Sequence, residues 1–469
     1  MPTLTTQSSD LESALIAAHR AEALLARTSR AARAAGLRAV ATALRDHRDE
    51  LVTIADEETA LGRSRLESEV GRTAFQLDLF AQLLETDTTV GVVIDLADPE
   101  WPPAPRPDLR RHLSPIGIVA MFSASNFPFA FSVVGGDTAS ALAAGCPVIV
   151  KAHSGHLRLS HRIGGLARSA LDASGLPEGT LAVIDGRENG RVLVIDDRVD
   201  AVAFTGSTEG GRALFDLAAG RPRPIPFYGE LGSVNPVFVT QRAASEEGDR
   251  IWRELASSFT LGAGQFCTKP GIVFAPRDAD APAAVASHLA EGASWPLLDS
   301  RIASGFADRI EEMTARADVD TIVEGKIEGI VASPTLLRTD LDDYIADPAG
   351  LGEETFGPTT LVVEYDEEQE LLQAAEQFVG ELTGTLQAQP DDHIAPPLIE
   401  VLESRVGRLI WNQWPTGVSV TAAMQHGGPY PSSTSVRDTS VGTAAIDRFL
   451  RPVTYQNFPE SLLPEPLRR

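Results

Sequence analysis

The sequence predicts an α/β protein built on parallel sheets, with more than one domain. Three observations lead there. Short apolar runs of buried-strand type recur along the chain without polar alternation. Segments with helical spacing separate them, at the lengths that crossovers between parallel strands need. The 469 residues also exceed what one ordinary core holds, so two or three domains are expected. Hydrophobic residues at 43% beside 22% charged ones are a globular composition.

Residues 10–86 carry apolar side chains at helical spacing, namely Leu11, Leu15, Ala18 and Leu25, then Leu37, Val40 and Leu44. Arg, Glu and Asp fill the other faces, so the region reads as amphipathic packing helices without chemistry. The Pro-rich run 101–107 reads as a connector into an exposed ribbon at 108–113. The apolar run 115–122 is a buried strand. It ends in Ser123-Ala-Ser-Asn-Phe-Pro-Phe129, followed by a helix pattern through Ala144 and a second strand at 147–151. A helix over 155–173, a strand at 181–184, a short helix after Gly186 and a strand at 201–204 continue the alternation. A second alternation from 246 to about 400 reads as another α/β domain, with strands at 271–275 and 360–364 and a further strand at 408–412. The tail 451–457 is β-prone and too short to fold alone, so it is expected to pair elsewhere.

The formal charge of −25 argues against nucleic acid or an anionic membrane surface as partner. Two cysteines make neither a disulfide framework nor a zinc site, and fit a reducing compartment. The N-terminal Met-Pro-Thr-Leu-Thr-Thr-Gln lacks the basic and apolar parts of a signal peptide. No apolar run is long enough to span a bilayer, so a cytoplasmic protein acting on a small molecule is expected.

Parallel sheets bind ligands at the carboxyl ends of their strands. Here those ends carry Lys151, Gly186-Arg-Glu-Asn-Gly190, and Phe204-Thr-Gly-Ser-Thr-Glu-Gly-Gly211, which opens a helix and offers N–H groups to phosphate. Together the three suit a dinucleotide, although none is the G-x-G-x-x-G fingerprint. Cys267 follows a Gly-x-Gly turn, where a thiol can face a cleft. Glu230 lies in an apolar, turn-rich stretch, where desolvation is expected to raise its pKa toward that of a general base.

The motifs Ser125-Asn-Phe-Pro-Phe129, Lys151, Phe204-Thr-Gly-Ser-Thr-Glu209, Glu230-Leu-Gly232, Gly264-Gln-Phe-Cys267, Glu354-Thr-Phe-Gly-Pro358 and Trp411-Asn412 together resemble the aldehyde dehydrogenase superfamily, in the family's order from about residue 115 to 458. The resemblance implies a Rossmann-type cofactor domain (1–103 and 114–231, with 432–449 returning to it). It also implies a catalytic domain (232–431) and a small oligomerisation ribbon (104–113 and 450–462) that joins the chains into a homodimer or homotetramer.

Roles follow where residues match. The resemblance implies Cys267 as nucleophile, Glu230 as general base, and an oxyanion site made by the Asn126 amide and the Cys267 N–H; His426 is a second proton acceptor beside them. Lys151 and Glu354 would hold ribose hydroxyls, Ser207 the pyrophosphate and Phe356 the nicotinamide ribose, with Gly206, Leu231 and Gly232 in the same cofactor set. Many NAD-using members carry Glu where this chain has Ser154, and Arg187 can pair with a 2′-phosphate, so NADP is expected over NAD.

The segments 151–153, 264–271 and 425–431 are most similar to those of 2-oxoglutarate semialdehyde (2,5-dioxopentanoate) dehydrogenases, which have NADP-dependent fatty aldehyde dehydrogenases as near relatives. Phe127 and Phe266 fall in the substrate set, and Ser432, Ser433, Thr434 and Arg437 are the expected donors to a substrate carboxylate. A coenzyme A-acylating enzyme and a non-catalytic cofactor-binding protein remain alternatives. Cys146 is expected in the core, and no metal site is expected.

Overall fold

The computed structural model describes residues 9–86 and 91–468. The N-terminal heptapeptide read above for a leader signal lies outside them. Among the described residues no helix is long and apolar enough to cross a membrane.

Four helices open the described chain, Ser9–Arg27, Arg30–Asp46, Arg48–Thr59 and Arg63–Glu85. Leu11, Leu15, Ala18, Leu25, Leu37, Val40 and Leu44 are all buried on their inner faces, as the spacing required. One acidic residue departs from the expected solvated faces. Glu69 is buried, and its Oε1 accepts hydrogen bonds from the amides of Phe129 (2.8 Å) and Ala130 (2.9 Å). The reading of this region as packing alone is therefore corrected: its last helix reaches into the segment that follows the first long strand.

That strand, Ile118–Phe122, is buried throughout and lies at the centre of a five-stranded parallel sheet. Val148–Lys151 and then Leu181–Ile184 add on one side, and Val199–Thr205 and then Phe227–Glu230 on the other. The direction of growth reverses at the central strand, which opens a crevice at the carboxyl ends of the flanking strands. Lys151, Gly206, Ser207 and Glu230 all come to that edge. The helix expected directly after Phe129 begins only at Gly136. Residues 127–135 instead fold back in turns, so tightly that a Cβ on Gly135 would meet the Ala130 carbonyl oxygen at 2.2 Å. The chain returns here near its end, where the wholly buried Arg448 pairs with Asp137 at 2.6 Å.

A seven-stranded sheet forms the other half. Its order is Asp320–Val323, Thr335–Asp340, Thr359–Tyr365, Ile272–Pro276, Val237–Val239, Glu381–Gln387 and Val406–Trp411, parallel except at the first pair. The β-prone tail, Leu450–Gln456, pairs antiparallel with Leu109–Pro115. Val93–Asp95 joins them as a third strand. Its three residues are all exposed, so no buried apolar run marks it in the sequence.

Candidate active site

The loop bearing Cys267 is set by the backbone around it. Helix Gln241–Thr260 starts at Thr240, whose side chain accepts from the Ala243 amide. After it, Gly262, Ala263 and Gly264 take positive φ values of 58°, 58° and 65°. Gly264 also brings the loop against residues 354–358, because a Cβ there would meet the Gly357 carbonyl oxygen at 2.1 Å. Asn235 Nδ2 donates to the carbonyls of Cys267 (2.8 Å) and Lys269 (3.0 Å). Thr383 on the second sheet donates to Asn235 Oδ1 at 3.0 Å. Thus held, Cys267 is partly exposed, and its amide N–H donates to no group among the described residues. Cys146, by contrast, is wholly buried, and burial pushes its thiol up to about 12.

Glu230 ends the last strand of the first sheet and is buried. His426 arrives from the late loop, which is fixed by hydrogen bonds from the His426 amide to Thr439 (2.9 Å) and from the Ser440 amide to the His426 carbonyl (2.9 Å). The imidazole Nε2 lies 2.8 Å from Glu230 Oε1 and 3.5 Å from Cys267 Sγ. The three reactive atoms lie within 4.8 Å of one another. Ser440 donates its hydroxyl to the other carboxylate oxygen of Glu230.

The expectation of a raised Glu230 pKa is corrected. Burial does push the carboxyl up, but the charge and hydrogen bond of His426, with the hydroxyl of Ser440 and the thiol of Cys267, outweigh it and hold Glu230 below the usual carboxylate range. Cys267 moves the other way. Burial, then the negative charges of Glu230 and Glu354, hold its thiol well above the usual range, with Arg72 and Arg408 acting against them. The pair therefore rests as a thiol beside a carboxylate, with the His426 ring against both.

Asn126 is buried and its amide donates to the Gln265 carbonyl at 3.0 Å, which leaves its second N–H uncommitted. Phe127 and Phe266 meet edge to face at 5.3 Å, and Phe131 adds to the same aromatic wall at 5.4 Å from Phe127. The three hydroxyls expected to bind from the late loop already donate within the protein. Ser432 donates to the Pro429 carbonyl, Ser433 to that of Ser435 and Thr434 to that of Phe227, while Arg437 is exposed. Each hydroxyl has one proton, and the turn itself takes it.

The residues expected to hold a dinucleotide gather along the crevice edge. Ser207 caps helix Thr208–Ala219, accepting from the Gly210 amide. A Cβ on Gly232 would meet Glu354 Oε2 at 2.4 Å and Thr208 Oγ1 at 2.9 Å, so only glycine admits that carboxylate. Burial pushes Glu354 up to about 7, against the pull of Lys269. Leu231 is buried against Gly211, and Phe356 is half-buried on the Glu354 loop. Lys151 is half-buried, and its ammonium has no hydrogen-bond partner among the described residues. Burial lowers its pKa, as do the positive charges of Arg301 and Arg187, and Asp185 opposes them. Ser154 opens the short turn Ser154–His156, and Arg187 begins helix Arg187–Ile195.

Ser440, Asn235, Arg301 and Arg72 belong to this neighbourhood and escaped the sequence. Each acts through a partner more than thirty residues away, and no local spacing marks such a pair.

The sequence model of the Aldehyde dehydrogenase family matches residues 3–454. The chain is 44% identical over 446 residues to alpha-ketoglutaric semialdehyde dehydrogenase 2 of Azospirillum brasilense, covering 93% of this chain and 85% of that protein. It is 39% identical over 465 residues to alpha-ketoglutaric semialdehyde dehydrogenase of Acinetobacter baylyi, covering 98% and 88%. Among solved structures, betaine aldehyde dehydrogenase of Staphylococcus aureus in complex with NAD+ is similar, with a TM-score of 0.80 at 21% identity, covering 96% of this chain and 87% of that one. At that identity the likeness concerns the fold.

Proposed function

This chain belongs to the aldehyde dehydrogenase family, and from that premise we propose that it oxidises 2-oxoglutarate semialdehyde to 2-oxoglutarate, with NADP preferred over NAD. The convergence of Cys267, Glu230 and His426 on one point carries the reading of the reaction. The two relatives named above support the substrate.

In this reading Cys267 passes its proton to Glu230, which releases it to solvent before the hydrolytic step, and the sulfur bonds to the aldehyde carbon to give a thiohemiacetal. The uncommitted N–H of Asn126 and the free amide of Cys267 stabilise the oxyanion; one such donor is worth roughly 3 kcal/mol of barrier. Oxidation of that carbon leaves a thioester on Cys267. When bound, the oxidised nicotinamide supplies the hydride acceptor for that oxidation. Glu230, ionised at neutral pH, then takes a proton from water, and the hydroxide displaces the thiolate and frees the acid. Lys151, Glu354, Ser207 and Phe356 would hold the cofactor along the crevice, with Gly206, Leu231 and Gly232 shaping its floor. The domain limits implied by the family pattern belong to the same proposal, as does subunit pairing through the ribbon, where Val93, Ile94 and Leu96 are exposed.

A panel of 2,5-dioxopentanoate, succinic semialdehyde, pentanal and long alkanals, each with both cofactors, tests the substrate. The highest kcat/KM is expected with 2,5-dioxopentanoate, and equal or higher values on long alkanals would overturn the choice. Cofactor preference rests on Lys151, Arg187 and Arg301, whose positive charges act together at the end of strand Val148–Lys151. The nearby Asp185 faces His161 at 3.1 Å. Arg187→Ala is expected to weaken NADP binding about tenfold or more, the worth of a charge-assisted hydrogen bond, with a much smaller effect on NAD. Fluorescence titration of both cofactors measures this, and an equal loss for the two would count against a 2′-phosphate contact.

A further inference from the structure

One strong cation beside the aromatic wall has no hydrogen-bond or ion-pair partner among the described residues. Arg72 projects from helix Arg63–Glu85, and its Cζ lies 5.9 Å from the ring centre of Phe127 and 5.6 Å from that of Phe131. Its Nε and Nη2 are buried without a hydrogen-bond partner. No carboxylate among the described residues lies within ion-pair distance of it; the charge of the neighbouring Glu69 is the strongest that acts on it, with Glu69 Oε1 committed to the Phe129 and Ala130 amides and Oε2 buried without a hydrogen-bond partner. Arg65, one turn earlier, differs. It stacks on Phe127 and Phe266, and donates to the Asn126 carbonyl at 2.6 Å. Arg65 thus braces the Asn126 segment, while Arg72 keeps its donors free.

A buried guanidinium with unmet N–H groups is costly unless something fills it. The surroundings say what that is. The rings of Phe127, Phe131 and Phe266 wall the space, Phe266 immediately precedes Cys267, and Phe131 lies 6.3 Å from the His426 ring. The Arg72 charge is felt at both Cys267 and Glu230. A ligand here meets apolar walls along its length, a thiol at one end and a planar cation at the other. The late-loop hydroxyls, which were expected to bind a substrate carboxylate, are already taken.

Resting on the substrate reading above, we infer that Arg72 binds the carboxylate of a short oxo-acid aldehyde, holding the acid end while the aldehyde end meets Cys267. Its two free N–H groups match a carboxylate in a forked pair, and desolvation by the phenylalanine rings strengthens that pair. Arg72 thereby sets chain length and charge preference without touching the reacting carbon.

The test compares kcat and KM for 2,5-dioxopentanoate and for pentanal in the wild type and in Arg72→Met, which keeps the packing stem on the rings and removes the donors. The kcat/KM ratio of oxo acid to pentanal is expected to fall about 10- to 100-fold, mostly through KM of the oxo acid. A ratio unchanged from a wild type that prefers the oxo acid would overturn the inference. A wild type without that preference would instead overturn the substrate reading. If Arg72→Met does not fold, as judged by cofactor titration, Arg72→Gln replaces it, with the same fall expected and the same null result decisive.

Discussion

Cys267→Ala is expected to abolish turnover, lowering kcat/KM by about 10⁴-fold or more, the scale seen when a covalent nucleophile is removed. The fold should survive, because the residue is partly exposed and, among the described residues, its side chain pairs with His426 and Glu230 alone. The loop is held instead through backbone, by Asn235 on the Cys267 and Lys269 carbonyls. Two readouts separate chemistry from binding: the burst of reduced cofactor should vanish, while cofactor affinity by fluorescence titration should change little. A burst that persists in Cys267→Ala would remove the nucleophile from the scheme. Cys146→Ala serves as the contrast, since that thiol is walled into the core and is held protonated by burial.

Glu230→Gln should split the reaction in two. The first turnover yields reduced cofactor, and the steady-state rate then falls roughly 10²- to 10⁴-fold, because water is no longer deprotonated to attack the thioester. The acyl-enzyme should accumulate on Cys267 and be visible by intact-protein mass spectrometry. A coenzyme A-dependent enzyme would keep its rate in this variant when thiol is supplied. A hydrolysis rate left at the wild-type value would transfer the base role to His426, which touches the same two groups.

The same substitution has a signed effect on the thiol. Glu230 contributes negative charge that raises the Cys267 pKa, second only to burial. Removing that charge should lower the Cys267 pKa, so alkylation by iodoacetamide should reach its midpoint at lower pH in Glu230→Gln than in the wild type. In the wild type the rate of alkylation should climb through the alkaline range, because a raised pKa keeps the thiol protonated near neutrality.

Much of the fold was legible because strand and helix periodicity is local. The strands that were read lie within three residues of those observed, and the tail was expected to pair because it has no core of its own. Val93–Asp95 was missed because all three residues are exposed and give no apolar signal. The delayed helix at Gly136 was missed because the turns of 127–135 are held from outside, by Glu69. At the site, Cys267 and Glu230 announced themselves by sequence context. His426 was one loop histidine among nine histidines in the chain, and only the folded late loop sets it between them.

By itself the sequence determined the α/β alternation and the family, and it singled out Cys267 and Glu230 as candidate nucleophile and base, since these follow from periodicity and from short motifs that survive without knowledge of their neighbours. The tertiary structure alone decided the charge state of the site and where its free donors lie. Glu230 is held low because His426 and Ser440 arrive from about two hundred residues away. Arg72 is left unpaired because the helix that carries it packs against Phe127 and Phe131. Electrostatic energies depend on distance and burial in space, and chain separation encodes neither.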